Sequence, residues 1–134
     1  MEIEGGCHCG KVSYKATVNP NNVLLCHCAD CQVMSGGPYR TIVPTREDNF
    51  ELDGPTRTYI KTADSGNQRT CVFCPECGTG IYGSSVGDGA KIIGIRGGTV
   101  RQIAQLPPQR QIWCGSAMPW LGQVDSIDSV NGQP

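Results

Sequence analysis

Long hydrophobic runs are missing from this 134-residue chain. No apolar stretch approaches the roughly 20 residues that a membrane-spanning helix needs, so no membrane association is expected. Charge of one sign does not accumulate either: 11 Lys and Arg stand against 12 Asp and Glu, with no basic cluster. A zinc module that grips nucleic acid normally carries a basic stripe, so no nucleic-acid partner is expected. There is no internal repeat of fixed period and no low-complexity tract. The opening residues, Met1-Glu2-Ile3-Glu4-Gly5, are acidic and strand-like rather than basic and then apolar. They do not read as a secretory leader, and a cytoplasmic setting is expected. The length is that of one domain, 1–134.

Uninterrupted helix is scarce as well. Eighteen glycines and nine prolines are spaced so that few stretches could hold a long helix. Short β-rich runs lie between these breaks: Lys11–Val18, Tyr39–Val43, Arg57–Lys61, Ile81–Tyr82, Lys91–Ile95 and Gln111–Trp113. In the first of them polar and apolar residues alternate, the period of a half-buried strand. Turn signals separate the runs at Asn19-Pro20-Asn21-Asn22, Asp53-Gly54-Pro55, Ser65-Gly66-Asn67 and Gly87-Asp88-Gly89. Helix is expected only in short pieces, around Ala29–Met34 and after Thr99. The polar tail from Asp125 onward is expected to end loosely. The fold class is mainly β, held together by metal.

What the chain has in excess is cysteine. Of nine, seven fall in three clusters: Cys7-His8-Cys9, Cys26-His27-Cys28-Ala29-Asp30-Cys31 and Cys74-Pro75-Glu76-Cys77. Sulfurs two or three residues apart are too close for easy disulfides but suit a shared ion. Zinc binds thiolates in a tetrahedron, and a C-x-C or C-x-x-C turn sets two sulfurs on one side of it. An odd cysteine count without a leader argues for metal binding rather than a secreted disulfide framework. Gly10 closes the first cluster and Gly78 the third, each letting the backbone turn tightly so that amides face the sulfurs. These two read as halves of one four-thiolate site, Cys7, Cys9, Cys74 and Cys77, with a structural role. Cys26, Cys28 and Cys31 remain as three ligands with one open position, the pattern of a catalytic zinc. His27 and Asp30 are weaker candidates for a fourth ligand. On an extended backbone His27 points away from its neighbours, and His8 has the same problem. Two zinc ions per chain are therefore expected. Cys71, beside Val72 and Phe73, reads as a small buried apolar residue.

With these clusters in order, the chain resembles the glutathione-dependent formaldehyde-activating enzyme family, which also includes centromere protein V. The likeness runs from Gly6-Cys7-His8-Cys9-Gly10-Lys11-Val12 through Cys26-His27-Cys28-Ala29-Asp30-Cys31 and Ser35-Gly36 to Phe73-Cys74-Pro75-Glu76-Cys77-Gly78-Thr79. Ile112-Trp113 and Pro119-Trp120 extend it toward the carboxy terminus. The resemblance implies a β-tent of antiparallel sheets, a four-cysteine structural zinc and a second zinc on three cysteines. It also implies a carbon–sulfur lyase that joins formaldehyde to glutathione as S-hydroxymethylglutathione. Cys71 is an extra thiol outside that pattern.

The chemistry follows from charge. Zinc on four thiolates is formally doubly negative and a poor Lewis acid, whereas three thiolates leave room for a substrate thiol. A glutathione-like partner carries two carboxylates, for which Arg40, Arg57 and Arg69 are candidate clamps. Two other readings compete. A non-catalytic zinc-stapled interaction module would have two closed sites, and a thiol oxidoreductase would use Cys114 in Trp113-Cys114-Gly115-Ser116.

Overall fold

A computed structural model describes all residues, 1–134. Its amino-terminal hairpin pairs β1 (Glu2–Gly6) with β2 (Ser13–Thr17), and burial in β2 alternates as the sequence requires. Tyr14 and Ala16 are inside; Ser13, Lys15 and Thr17 face solvent. The chain continues through β3 (Leu24–Cys26), helix α1 (Ala29–Ser35), β4 (Arg40–Arg46), β5 (Phe50–Asp53) and β6 (Arg57–Thr62). It ends through β7 (Gln68–Phe73), β8 (Gly80–Ser85), β9 (Ile92–Arg96) and β10 (Arg110–Ile112). The strands form a three-stranded sheet, β1-β2-β5, and a seven-stranded sheet, β10-β3-β4-β9-β8-β7-β6. The chain is mainly β, with antiparallel pairing throughout except that β10 runs parallel to β3. The helical segments are short: α1, then 3-10 turns such as Ile103–Gln105 and Leu121–Ser126. No helix is long and apolar enough to cross a membrane.

Register decides which face of the large sheet each side chain takes. Val43 pairs with Ile95, Ile95 with Tyr82, and Tyr82 with Val72. That face packs against the small sheet. Ile3, Tyr14 and Ala16 from one side meet Val43, Ile81, Ile93 and Ile95 from the other. Phe50 bridges the layers, its ring 5.4 Å from Tyr14 and 5.2 Å from Tyr82 between centroids. A bulge helps to close the core. Val72 pairs with Tyr82 but Phe73 with Gly80, so Ile81 has no partner across the ladder, and both Ile81 and Tyr82 join the core.

The opposite face has a different composition. Arg40 pairs with Cys26, Ile42 with Arg96, Gly94 with Gly83, Gly83 with Cys71, and Lys61 with Arg69. One helix lies over it. Asp30 of α1 accepts from Lys61 Nζ at 2.7 Å, and the Met34 sulfur lies 3.9 Å from Cys71 Sγ.

Ile95 is fully buried between the sheets, whereas Val33 on α1 is 82% exposed. Ile95→Ala is expected to lower stability by about 2–5 kcal/mol, and Val33→Ala to change it by less than about 0.5 kcal/mol. Urea midpoints at unchanged m-value measure both.

Candidate metal and thiol site

The structure brings the seven clustered cysteines into two groups, Cys7, Cys9, Cys74 and Cys77 in one and Cys26, Cys28 and Cys31 in the other. Within each group all sulfurs lie within 4.8 Å of one another. The first group joins the two sheets: Cys7 and Cys9 follow β1 of the small sheet, and Cys74 and Cys77 lie in the turn from β7 to β8 of the large one. Both turns use glycine with positive φ, 83° at Gly10 and 76° at Gly78, and there a Cβ would strain the chain. The Gly78 amide donates to the Cys74 carbonyl at 2.9 Å, closing the knuckle.

The donor set suits a tetrahedral cation. Bonds of about 2.3 Å in a tetrahedron set sulfurs about 3.8 Å apart. Cys9 Sγ stands 3.5 Å from Cys7 Sγ and 3.8 Å from Cys74 Sγ. The Val12 amide donates to Cys7 Sγ at 3.2 Å, and the Thr79 hydroxyl stands 3.1 Å from Cys77 Sγ. The Thr79 hydroxyl, then its amide and that of Cys9, pull the Cys77 thiol down to about 5. Cys9 moves the other way. The Lys11 amide favours its thiolate, but desolvation and the three adjacent sulfurs hold it up at about 11. Four crowded thiols cannot all ionise unaided, and a divalent cation resolves that conflict.

The second group hangs on the end of β3 and the start of α1. Cys28 caps the helix, its Sγ accepting from the Cys31 amide at 3.3 Å. Burial opposes ionisation of Cys28, yet the Cys31 amide, the neighbouring sulfurs and Lys61 bring it below the ordinary thiol value. Cys31 is pushed up to about 12 by burial, with Arg40 pulling against it. His27 turns away from the sulfurs: it is 1% exposed, and its Nε2 meets Gln111 Oε1 at 2.7 Å. Asp30 is engaged by Lys61. Three sulfurs therefore meet here without a local fourth donor, a set that could hold a metal with one position open.

The remaining candidates separate. Cys71 is 6% exposed, as a small apolar residue would be, and Cys114 lies in the open. His8 is exposed, donating its amide to the Thr79 hydroxyl. Arg57 and Arg69 are exposed near the edge of the large sheet, while Arg40 is half-buried beside the second group. Sequence reasoning missed Arg96, a half-buried guanidinium held down to about 10 by burial and then by Arg40. The signal was present: a single cation ends the otherwise apolar run Ile92-Ile93-Gly94-Ile95, just before Gly97-Gly98. Trp113 ends the β-rich run Gln111–Trp113 and precedes Cys114 in the sequence. It is 68% exposed with φ of 56°, an uncommon conformation for so large a side chain.

Two sheets carrying one four-thiol and one three-thiol group define a mainly β, cysteine-centred protein with two places for metal. The chain belongs to the glutathione-dependent formaldehyde-activating enzyme family, whose model matches residues 2–116. A Schizosaccharomyces pombe protein named an uncharacterized lyase is 25% identical over 81 residues, which are 60% of this chain. The chain spans 56% of that relative's length. A crystal structure of a Rhodobacter sphaeroides protein is similar in fold, with a TM-score of 0.60 at 14% identity. That likeness covers 81% of this chain and 98% of the other.

Elemental analysis of protein purified without chelator is expected to give close to two zinc ions per chain; a value near one places the loss at the three-thiol group. Thr79→Val removes the hydroxyl beside Cys77 and is expected to weaken retention of one ion about 10- to 100-fold. Competition with a chromogenic chelator reads that change.

Proposed function

We propose that residues 1–134 form one zinc-dependent domain acting as a carbon–sulfur lyase on a thiol adduct of the S-hydroxymethylglutathione kind. Cys7, Cys9, Cys74 and Cys77 hold a structural zinc, and Cys26, Cys28 and Cys31 hold a catalytic one. The observation that carries this reading is the unequal pair of thiol groups, four sulfurs between the sheets and three at a sheet end beside cations. Membership of the family and the Schizosaccharomyces pombe relative named an uncharacterized lyase support a lyase-like enzyme.

A zinc ion on three thiolates supplies a position for an exchangeable ligand and lowers the pKa of a thiol that takes it. The chain's own groups do the rest. Lys61 and Arg40 make the surroundings of Cys28 and Cys31 cationic, which favours an anionic sulfur arriving there. In synthesis the thiol sulfur forms a bond to the carbonyl carbon, and the thiol proton ends on the carbonyl oxygen. In the lyase direction that carbon–sulfur bond breaks and the hydroxyl proton returns to sulfur. Nothing is oxidised, so no redox cofactor is required. The thiols suit a reducing, cytoplasmic setting, where glutathione keeps cysteines reduced.

Two measurements test the reading. Cys77→Ala opens the junction between the sheets and is expected to leave the protein unfolded or insoluble, because binding energy there is folding energy. Cys28→Ala is expected to stay folded, with one zinc and no activity; equal unfolding of both variants would refute the division of roles. In cobalt-substituted protein, glutathione is expected to change only the absorption owed to Cys26, Cys28 and Cys31. A second group indifferent to small thiols at millimolar concentration would replace the lyase with a zinc-stapled interaction module.

A further inference from the structure

The outer face of the large sheet carries Arg40, Arg57, Lys61, Arg69 and Arg96 on strands β4, β6, β7 and β9. Lys61 has Asp30 as its partner; the other ion pairs of the chain are Lys11–Glu76, Arg46–Asp48 and Arg101–Glu4. None of the four arginines on this face meets a carboxylate. Arg57 and Arg69 are exposed, where water serves them well. Arg96 and Arg40 are half-buried and near enough for Arg40 to act on Arg96. Two adjacent guanidiniums partly withdrawn from water, without an acid, are costly in the free protein. A planar anion offsets that cost, because each guanidinium presents a fork of donors matched to a carboxylate.

The surroundings leave space for one. Arg96 and Arg40 line a cleft of about 510 Å³ together with Ser35, Thr41, Thr79 and Thr99, all hydroxyl-bearing. The cleft runs from the Gly78-Thr79 knuckle of the first cysteine group to Met34 and Ser35 at the end of α1, the helix that bears Cys31. A glycine on β8 gives the Arg96 guanidinium its place. At Gly83 a Cβ would fall 2.6 Å from Arg96 Nη2, so the guanidinium occupies the space that a side chain on β8 would take. Arg40 serves both places, since it lines the cleft and its charge reaches Cys31.

We propose that Arg96 and Arg40 form a carboxylate subsite beside the three-thiol group, so that the site selects thiols bearing an acidic group over neutral or esterified ones. The proposal rests on the thiol-adduct reading above and assigns the residues that would meet a carboxylate of such a substrate, Arg96 and Arg40 rather than the exposed Arg57 and Arg69. Arg96 acts here as a binding residue that sets specificity, and it has no part in making or breaking the carbon–sulfur bond.

Calorimetry on the zinc-loaded protein tests it with S-methylglutathione, whose capped sulfur has no proton to lose, and with the diethyl ester of the same molecule. The free acid is expected to bind at least about tenfold more tightly than the ester, the scale of a charge-assisted pair. Arg96→Gln and Arg40→Gln are each expected to bring the two affinities within about twofold of each other. Circular dichroism and metal content report whether each variant is folded, and Arg40→Gln carries the comparison if Arg96→Gln is not. Gly83→Ala is expected to weaken acid binding by displacing the guanidinium. Equal affinity of native protein for acid and ester overturns the subsite even if the cobalt spectrum still responds to glutathione. A retained preference for the acid with a silent cobalt spectrum leaves the anion site standing and removes the thiol chemistry instead.

Discussion

Side-chain alternation in the seven-stranded sheet is the constraint on which the rest depends. One face must seal against the small sheet, and Val43, Ile93 and Ile95 supply the aliphatic surface that does so. The residues between them are thereby turned outward, which places Arg40 and Arg96 on the same side as Cys26 and Cys71. A slip of one residue in β4 or β9 would bury guanidiniums in the aliphatic layer and expose Val43 or Ile95. Register is therefore held by the cost of burying charge as much as by ladder hydrogen bonds. The same arithmetic that builds the core gathers cations and sulfur on the face left over.

The two cysteine groups differ because of what they join. The first lies where β1 leaves the small sheet and where β7 turns into β8 of the large one, so its sulfurs come from segments 65 residues apart. Amides and the Thr79 hydroxyl point at those sulfurs from both turns. Such a junction serves stability, since closing it ties distant parts of the chain together. The second draws all three sulfurs from six consecutive residues and fixes little at long range. Its surroundings are charged instead, with Lys61 reaching Cys28 and Arg40 reaching Cys31.

Much of this was legible in the sequence where a local rule acts alone. The run Arg57–Lys61 became β6 (Arg57–Thr62), Lys91–Ile95 became β9 (Ile92–Arg96), and the short helix at Ala29–Met34 became α1 (Ala29–Ser35). The grouping of the sulfurs followed from spacing and glycine closure. Strands β3, β5 and β7 were not read, and β1 showed only as strand-like opening residues without bounds. Glu2–Gly6 holds two glycines and two acids, Leu24–Cys26 is too short to show a period, and Gln68–Phe73 begins with polar residues. Each is a strand because a neighbour pairs with it, which is tertiary information. Arg96 was missed for the same reason: a terminal arginine on an apolar run looks solvated until Gly83 on the next strand leaves room for it to lie flat. The helix expected after Thr99 proved to be 3-10 turns, broken by Pro107 and Pro108.

The parallel strand β10 accounts for the direction His27 takes between the second-group cysteines. β10 needs a long connection to reach β3, and it ends beside Cys26, with which Ile112 pairs. The His27 amide donates to the Ile112 carbonyl at 3.1 Å, and its ring reaches Gln111 while packing edge-on to Tyr39. Gln32 completes the tie, its Nε2 donating to the carbonyls of His27 and Ser116 at 2.8 Å each. His27 is thus committed to holding β10 against β3, and this commitment leaves the cysteines on either side free to face each other. The tie also fixes where the chain emerges. Trp113 leaves β10 in a left-handed conformation, and the residue is 68% exposed next to the three-thiol group's supporting strand. A strained turn of this sort persists only when its surroundings over-determine it, and Gln32 and His27 supply that determination. The second group is therefore open toward the cationic face and closed toward β10, a direction set by one histidine and one glutamine rather than by the sulfurs themselves.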